Sequence, residues 1–82
     1  MVFMVKVGIP LTMLSVGSTG TVVRVQGGHR VAHRLASMGI LPGAQVSLIK
    51  SDTSGPVILE VLSSRFVIGR RLAHKIRVRP AG

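Results

Sequence analysis

Short apolar segments separated by turn-forming residues make up most of the chain. Gly, Pro, Ser and Asp recur at short intervals and divide the sequence into pieces of strand length. These pieces are enriched in β-branched residues, which favour extended structure. The pattern predicts five strands, at Thr21–Gln26, Gln45–Ser51, Val57–Leu62, Arg65–Ile68 and Lys75–Arg79. Alternation is clearest in the last strand, where Ile76 and Val78 should face the core.

One segment, Arg30–Met38, has the period of a helix rather than that of a strand. Its apolar side chains recur at i, i+4 and i+7, which places them in a narrow stripe on one helix face. They are Val31, Leu35 and Met38. A second, shorter helical turn is predicted at Arg70–His74, between the last two strands. The longer helix should cap one end of the packed strands.

The residues that follow the longer helix predict how it ends. Gly39 stands where a left-handed conformation terminates a helix at low cost, and Ile40 can then fold back on the last turn, as in a Schellman motif. Pro42–Gly43 comes next and predicts a type II turn, in which Gly takes the positive φ. We therefore expect a tight connection from the helix to the following strand.

Five short strands with one inserted helix and one late helical turn predict a mainly β fold, a small SH3-like five-stranded barrel. An OB-fold is the alternative, because it too is a five-stranded barrel with one helix, although its strands are usually longer. The 82 residues allow one domain over 1–82, with a core at about residues 10–79. No apolar stretch reaches the roughly 18 residues of a spanning helix without interruption by Gly, Pro, Ser or Thr.

Charge is the most unusual feature of the composition. Eleven Lys and Arg against two acidic residues give a formal net charge of +9, which attracts nucleic acid, an anionic membrane surface or an acidic protein face. The basic residues cluster late in the sequence: Arg65, Arg70, Arg71, Lys75, Arg77 and Arg79. We expect Arg70, Arg71, Arg77 and Arg79 to contribute to a partner-binding patch. The alternative is a solvated charged face that has no partner.

Several function classes find little support in the residue types present. Nucleic acid ranks below a protein or lipid surface as the partner, because proteins that bind single strands stack bases on aromatic side chains and this chain has only Phe3 and Phe66. There is no Cys, and the only carboxylates are Asp52 and Glu60, so the usual nucleophiles and general acids are scarce. We expect Asp52 to stabilise a turn and Glu60 to pair with an Arg on a neighbouring strand. The sequence predicts neither enzymatic activity nor a cofactor.

The start of the longer helix offers one candidate metal site. His29 and His33 are four residues apart, a spacing that places two imidazoles on one helix face. Structural zinc requires four ligands, and no Cys is present to supply the others. The alternative is a pair of solvated histidines.

The end of the same helix is crowded with apolar residues: Leu35, Met38, Ile40 and Leu41. Not all of them can be buried inside so small a barrel. We expect part of this set to form an apolar spot that binds a partner. The alternative is that the four side chains close the core.

Three stretches of the sequence resemble the FeoA family of ferrous iron transport proteins. They are PLTMLSVGSTGTVVRVQGG from Pro10, HRLASMGILPGAQVSLIKSDTSGPVILEV from His33, and FVIGRRLAHKIRV from Phe66. The most specific elements are Arg34–Leu35, Met38–Gly43 and, at strand distance, Gly55–Pro56. Each Gly and Pro in them has a backbone role, so the resemblance, which runs from about residue 10 to 78, is more than an effect of composition.

The resemblance implies an SH3-like barrel that acts as a non-enzymatic accessory of ferrous iron uptake. It implies a partner, FeoB, which is a membrane transporter with a cytosolic GTP-binding domain, and hence a location in the cytoplasm or at the inner face of the cell membrane. A similar barrel forms the C-terminal domain of DtxR-type repressors. There it follows a winged-helix domain and a dimerisation domain, and this chain has no room for either. A small basic barrel that binds nucleic acid remains the alternative function.

Overall fold

The computed structural model of the chain describes residues 8–81, and over that range the fold is an antiparallel sheet of six strands with two α-helices. The strands are β1 (Ile9–Pro10), β2 (Thr19–Val25), β3 (Gln45–Ser51), β4 (Val57–Val61), β5 (Ser64–Ile68) and β6 (Ile76–Pro80). The helices are α1 (Gly28–Ala36) and α2 (Arg70–His74), and a 3₁₀ helix spans Leu11–Met13. The strands lie side by side in the order β1-β6-β2-β3-β4-β5.

All five predicted strands are present, and the mainly β class is confirmed. Strand β3 and helix α2 have the predicted bounds, while the other predicted strands differ by one or two residues at their ends. The sixth strand, β1, was not predicted, because two residues are too few to show alternation. It is recognised only by its pairing with β6, in which Ile9 lies opposite Val78 and Pro10 opposite Arg77. Helix α1 lies between the second and third strands, whereas an OB-fold places its helix between the third and fourth strands, so the OB-fold alternative does not fit.

Helix α1 begins and ends two residues earlier than the predicted range Arg30–Met38. It begins earlier because Gly27 takes a left-handed conformation, with φ 111°, and turns the chain into the helix soon after β2. It ends earlier because the backbone tightens after Ala36: the Met38 N–H donates to the carbonyl of Leu35 (2.9 Å), three residues back. Neither α-helix in the described part of the chain has the length and apolar character that crossing a bilayer requires.

The predicted helix-ending motif is present. The Gly39 N–H donates to the carbonyl of Ala36 (2.9 Å), and the Ile40 N–H donates to that of Leu35 (3.0 Å). Gly39 has φ 87°, so these two hydrogen bonds form a Schellman motif with Gly39 at C′. Leu35 and Ile40 are both fully buried, which fits the apolar contact that accompanies this motif.

Side chains that alternate inward along the strands form the core, and the helices close its ends. Ile76 and Val78 of β6 are fully buried, as predicted, whereas Arg79 is exposed. Elements outside the sheet contribute further buried side chains, among them Leu11 of the 3₁₀ helix, Leu35 of α1 and Ala73 of α2. Among residues 8–81 no polar or charged residue is buried. Apolar packing therefore stabilises this small domain.

Two β-bulges turn basic side chains toward solvent. The pairing of β2 with β6 shifts by one residue, so that Val22 lies opposite Val78 but Arg24 lies opposite Arg77. The pairing of β3 with β4 shifts in the same way just before Lys50. Side chains alternate between the two faces of a sheet, so one extra residue moves the next side chain to the other face. Without the bulges, Arg24 and Lys50 would point into the core.

Candidate partner-binding surface

The four apolar residues predicted to form a partner-binding spot fall into two groups. Leu35 and Ile40 are fully buried, so they close the core and their assignment to a binding surface is corrected. Met38 is half-buried, and the side chain of Leu41 is 45% exposed. The apolar part of the surface at the end of α1 is therefore narrowed to Met38 and Leu41.

Leu41 is held at the surface by a tightly bonded loop. The Ala44 N–H donates to the carbonyl of Leu41 (2.9 Å), and Gly43 has φ 96°, as expected for the predicted type II turn. The Gly43 N–H donates to the carbonyl of Val22, and the Val22 N–H donates to that of Ala44, both at 2.8 Å. Because backbone hydrogen bonds join the turn to β2, the position of Leu41 does not depend on burial of its own side chain.

Leu41 lines an apolar groove between α1 and β2 that encloses about 310 Å³. The other lining residues are Arg24 and Val25 of β2, Ala32 and Ala36 of α1, and Ile40 and Pro42 of the loop that follows α1. Space is left because the two alanines each present one methyl group to the neighbouring strand. The groove was not predicted. Its one signal in the sequence is the spacing of Ala32 and Ala36, four residues apart on one helix face.

Arg70, predicted to bind a partner, is instead engaged in the fold. Its side chain is half-buried and donates to the carbonyl of Gly55 (3.0 Å), to the hydroxyl of Ser51 (3.0 Å) and to the carbonyl of Asp52. These contacts tie the first residue of α2 to the loop between β3 and β4. The assignment of Arg70 to a binding surface is corrected, because its guanidinium is already used by three acceptors of the same chain.

The outer surface of β2 and β6 carries three arginines, Arg24, Arg77 and Arg79, and we call it the basic face. Arg24 lies opposite Arg77, and Arg79 lies opposite Thr21. Arg24 and Arg79 are exposed; Arg77 is half-buried and donates to a backbone carbonyl of the residue before β1 (2.8 Å). Arg71 is also exposed, on α2. Two of the predicted arginines thus share one surface, with Arg24 added by the bulge.

Both acidic residues of the chain lie away from the basic face. Glu60 of β4 lies opposite Arg65 of β5, with 3.9 Å between Oε2 and Nε, which confirms the predicted pairing of Glu60 with a neighbouring Arg. Such an exposed pair contributes at most about 1 kcal/mol. Asp52 is exposed in the loop between β3 and β4. Neither of these side-chain carboxylates therefore lies on the two strands of the basic face.

The two histidines predicted as candidate metal ligands are exposed on α1. Their ring centroids lie 6.2 Å apart with the planes tilted by 37°. No group of three or more His, Asp or Glu side chains is close enough to hold a metal ion among residues 8–81. His74 lies elsewhere, where its Nδ1 is 3.0 Å from the hydroxyl of Thr12. A metal at His29 and His33 would therefore need ligands from solvent or from a second molecule.

The turn between β4 and β5 presents an exposed leucine, Leu62, that was predicted to be the last residue of a strand. Val61 pairs with Ser64, so the loop consists of Leu62 and Ser63, which have φ 52° and 67°. Positive φ at both positions is the pattern of a type I′ turn, which favours Asn–Gly. Leu62 is 84% exposed, and its Cδ1 would lie 3.2 Å from a Cβ added at Gly39. The side chain therefore projects over the end of α1.

Comparison with known proteins agrees with this fold. The model of the FeoA domain family matches residues 9–80. Fe(2+) transport protein A of Methanocaldococcus jannaschii is 38% identical over 72 residues, which cover 88% of this chain and 87% of that protein. The crystal structure of an iron uptake regulatory protein, FeoA, is 40% identical with a TM-score of 0.84 and covers 89% of this chain and 97% of its own.

Two further structures locate the fold among its relatives. FeoA of Stenotrophomonas maltophilia, described as an SH3 domain protein and solved with zinc, is 25% identical with a TM-score of 0.72, covering 83% of this chain and 86% of its own. A manganese-dependent transcriptional repressor is 23% identical with a TM-score of 0.77, covering 88% of this chain but 41% of its own, and shows a shared fold alone. The SH3-like fold is thereby confirmed. The chain belongs to the FeoA family of small proteins associated with ferrous iron transport.

Proposed function

We propose that this chain is a small, soluble, non-enzymatic accessory protein of ferrous iron uptake that binds the cytosolic part of a FeoB-type membrane GTPase transporter and alters transport. Membership of the FeoA family supports the pathway. The proposed place of action is the cytoplasm, at or near the inner face of the membrane where such a transporter exposes its cytosolic part. The absence of cysteine fits a reducing compartment.

The observation that carries the proposal is the exposed Leu41, which lies beside an apolar groove and close to the basic face on a loop fixed by backbone hydrogen bonds. Contiguous apolar surface that is exposed and rimmed by charge is typical of protein interaction sites, and the groove makes the apolar surface at Leu41 contiguous. The loop needs no rearrangement to present Leu41, so little ordering cost opposes binding. Arg24 and Arg79 would add long-range attraction to an acidic partner surface.

Recovery of the transporter by the tagged protein tests the proposal. Tagged wild-type protein should recover FeoB from detergent extracts of the native cell, and Leu41→Asp should weaken that recovery. Val67→Asp is the matched control, since Val67 is an exposed apolar residue on β5 (67% exposed). Equal recovery by the two variants would remove Leu41 from the interface. Failure of the wild type under gentle cross-linking, with FeoB present, would refute the proposal.

Nucleic-acid binding is the second candidate, and the basic face is the observation in its favour. Binding driven by phosphate neutralisation weakens with salt, with a log–log slope near −0.9 per neutralised duplex phosphate. An electrophoretic shift that survives at physiological salt would support this function. The aromatic residue within the described range, Phe66, is half-buried against the core, so base stacking has little support.

A further inference from the structure

We infer that the groove between α1 and β2 binds an acidic amphipathic peptide segment of a partner protein, with an apolar side chain seated beside Leu41 and carboxylates facing Arg24 and the rest of the basic face. This inference deepens the proposed function and rests on it for the identity of the protein that carries the segment. The binding chemistry is argued from the groove itself.

The shape and lining of the groove suit apolar side chains of a peptide. Its volume of about 310 Å³ lies at the lower end of the range of about 300–1,000 Å³ that is typical of ligand sites. Ala32, Ala36, Val25 and Pro42 offer it methyl, methylene and ring carbon atoms, and Ile40 closes its floor. An amphipathic segment fills such a groove with side chains spaced by about one helical turn.

The charge around the groove selects an acidic segment. Arg24 is the charged residue among the lining residues, and the bulge in β2 is the reason that it points outward. Among residues 8–81 the Arg24 side chain has no hydrogen bond or ion pair within the chain. Across the sheet it faces Arg77, a like charge whose direct opposition is unfavourable. A carboxylate placed over this pair would relieve the repulsion and gain charge-assisted hydrogen bonds.

Other anionic partners match these features less well. Nucleic acid supplies phosphates but no aliphatic side chain for the groove, and a bilayer surface is broad whereas the groove is narrow. Glu60 on β4 is separated from β2 by β3, Asp52 lies in the loop between β3 and β4, and neither lines the groove, so no side-chain carboxylate in the groove cancels the attraction. An acidic peptide with apolar residues on one face can place those residues in the groove and its carboxylates beside the arginines of the basic face.

The test uses a labelled amphipathic peptide of about 14 residues, a length at which an isolated helix is marginal in water and gains stability when its apolar face is bound. The probe has Leu at i, i+3, i+4 and i+7, Glu at four of the remaining positions and the strong helix former Ala at the others, and fluorescence anisotropy measures its affinity. One control peptide replaces every Glu by Lys, and another replaces every Leu by Ser. We expect both controls to bind at least about tenfold more weakly than the probe, a difference of roughly 1.4 kcal/mol.

Two variants of the protein test the site. Arg24→Glu reverses the charge at the rim, and Lys50→Glu is the matched control, because Lys50 also follows a bulge and the change in net charge is the same. Ala36→Leu fills the groove at an exposed position of α1 with a good helix former. Arg24→Glu and Ala36→Leu should each lower the affinity for the probe by about tenfold, and Lys50→Glu should lower it by less than about threefold. Circular dichroism confirms that each variant is folded.

The outcomes separate the inference from the proposed function. If Arg24→Glu and Lys50→Glu lower the affinity for the probe equally, the probe binds by overall charge alone and the inference is overturned. Unchanged affinity of Ala36→Leu for the probe, or no binding of the probe to wild type, would also overturn it. If FeoB is recovered by Ala36→Leu as well as by wild type, the inference fails and the proposed function stands. If the probe binds as expected but FeoB is never recovered, the groove stands and the partner must be another protein.

Discussion

The hairpin turn at Leu62–Ser63 carries backbone strain that a double substitution should release. Both residues adopt left-handed conformations, with φ 52° and 67°. This conformation costs a residue other than Gly or Asn about 1–2 kcal/mol. Replacing the pair by Asn–Gly, which suits a type I′ turn, should therefore stabilise the domain.

The expected gain follows from three opposing contributions. Removing the strain at Ser63 and part of it at Leu62 contributes about 2 kcal/mol. Leu62 is 84% exposed, so about one sixth of a burial energy of about 1.5–3 kcal/mol is lost, or about 0.4 kcal/mol. The greater freedom of Gly in the unfolded chain costs about 0.5–1 kcal/mol. The net stabilisation is about 1 kcal/mol, which raises the midpoint of thermal unfolding by about 4–8 °C.

Thermal unfolding followed by far-ultraviolet circular dichroism measures this shift, because the sequence has no Trp or Tyr for intrinsic fluorescence. The matched control is Ser54→Gly, in the loop between β3 and β4, where φ is not positive. That variant relieves no strain and should be destabilised by about 0.5–1 kcal/mol. An unchanged or lower midpoint for the Asn–Gly variant would refute the reasoning. The packing of Leu62 over Gly39 would then outweigh the strain.

Three further predictions concern single structural features. Arg70→Lys should lower the free energy of unfolding by about 1–2 kcal/mol in a urea titration, because one ammonium cannot reach the three acceptors of the guanidinium; the exposed Arg71→Lys should change it by less than about 0.5 kcal/mol, and equal effects would contradict the assigned role. Gly39→Ala should cost about 1–2 kcal/mol in the same assay, since φ is 87° there, and a neutral result would rule out the Schellman geometry. We expect weak Zn²⁺ binding at His29 and His33, whose rings lie 6.2 Å apart; in equilibrium dialysis the double alanine variant should take up less metal than wild type, and equal uptake removes the site.

The parts of the fold that were predicted correctly depend on local chemistry. The Schellman motif at Gly39 and the turn at Pro42–Gly43 follow from which residues accept positive φ, a property of a few consecutive residues. The alternation of Ile76 and Val78 with arginines likewise shows which side of the last strand is buried. The resemblance to the FeoA family rests on these same positions, which is why it predicted the fold well.

The candidate surface was only partly predictable because it depends on pairing between distant segments. Leu41 is exposed, but Leu35 and Ile40, which belong to the same predicted set, are buried because the helix end folds onto the barrel. Arg70 and Arg79 look alike in the sequence. Arg70 donates hydrogen bonds to the loop between β3 and β4, whereas Arg79 is exposed. The difference arises from contacts between residues that are fifteen or more positions apart in the sequence.

The sequence by itself determined the strand and helix pattern, the chemistry of the helix end and the large positive charge. Only the tertiary structure decided where that charge lies. The bulge before Arg24 arises from the register of β2 against β6, and the groove arises from the distance between α1 and β2. Register and distance are set by packing of the whole core, in which every strand is positioned by its neighbours. No short stretch of sequence contains that information.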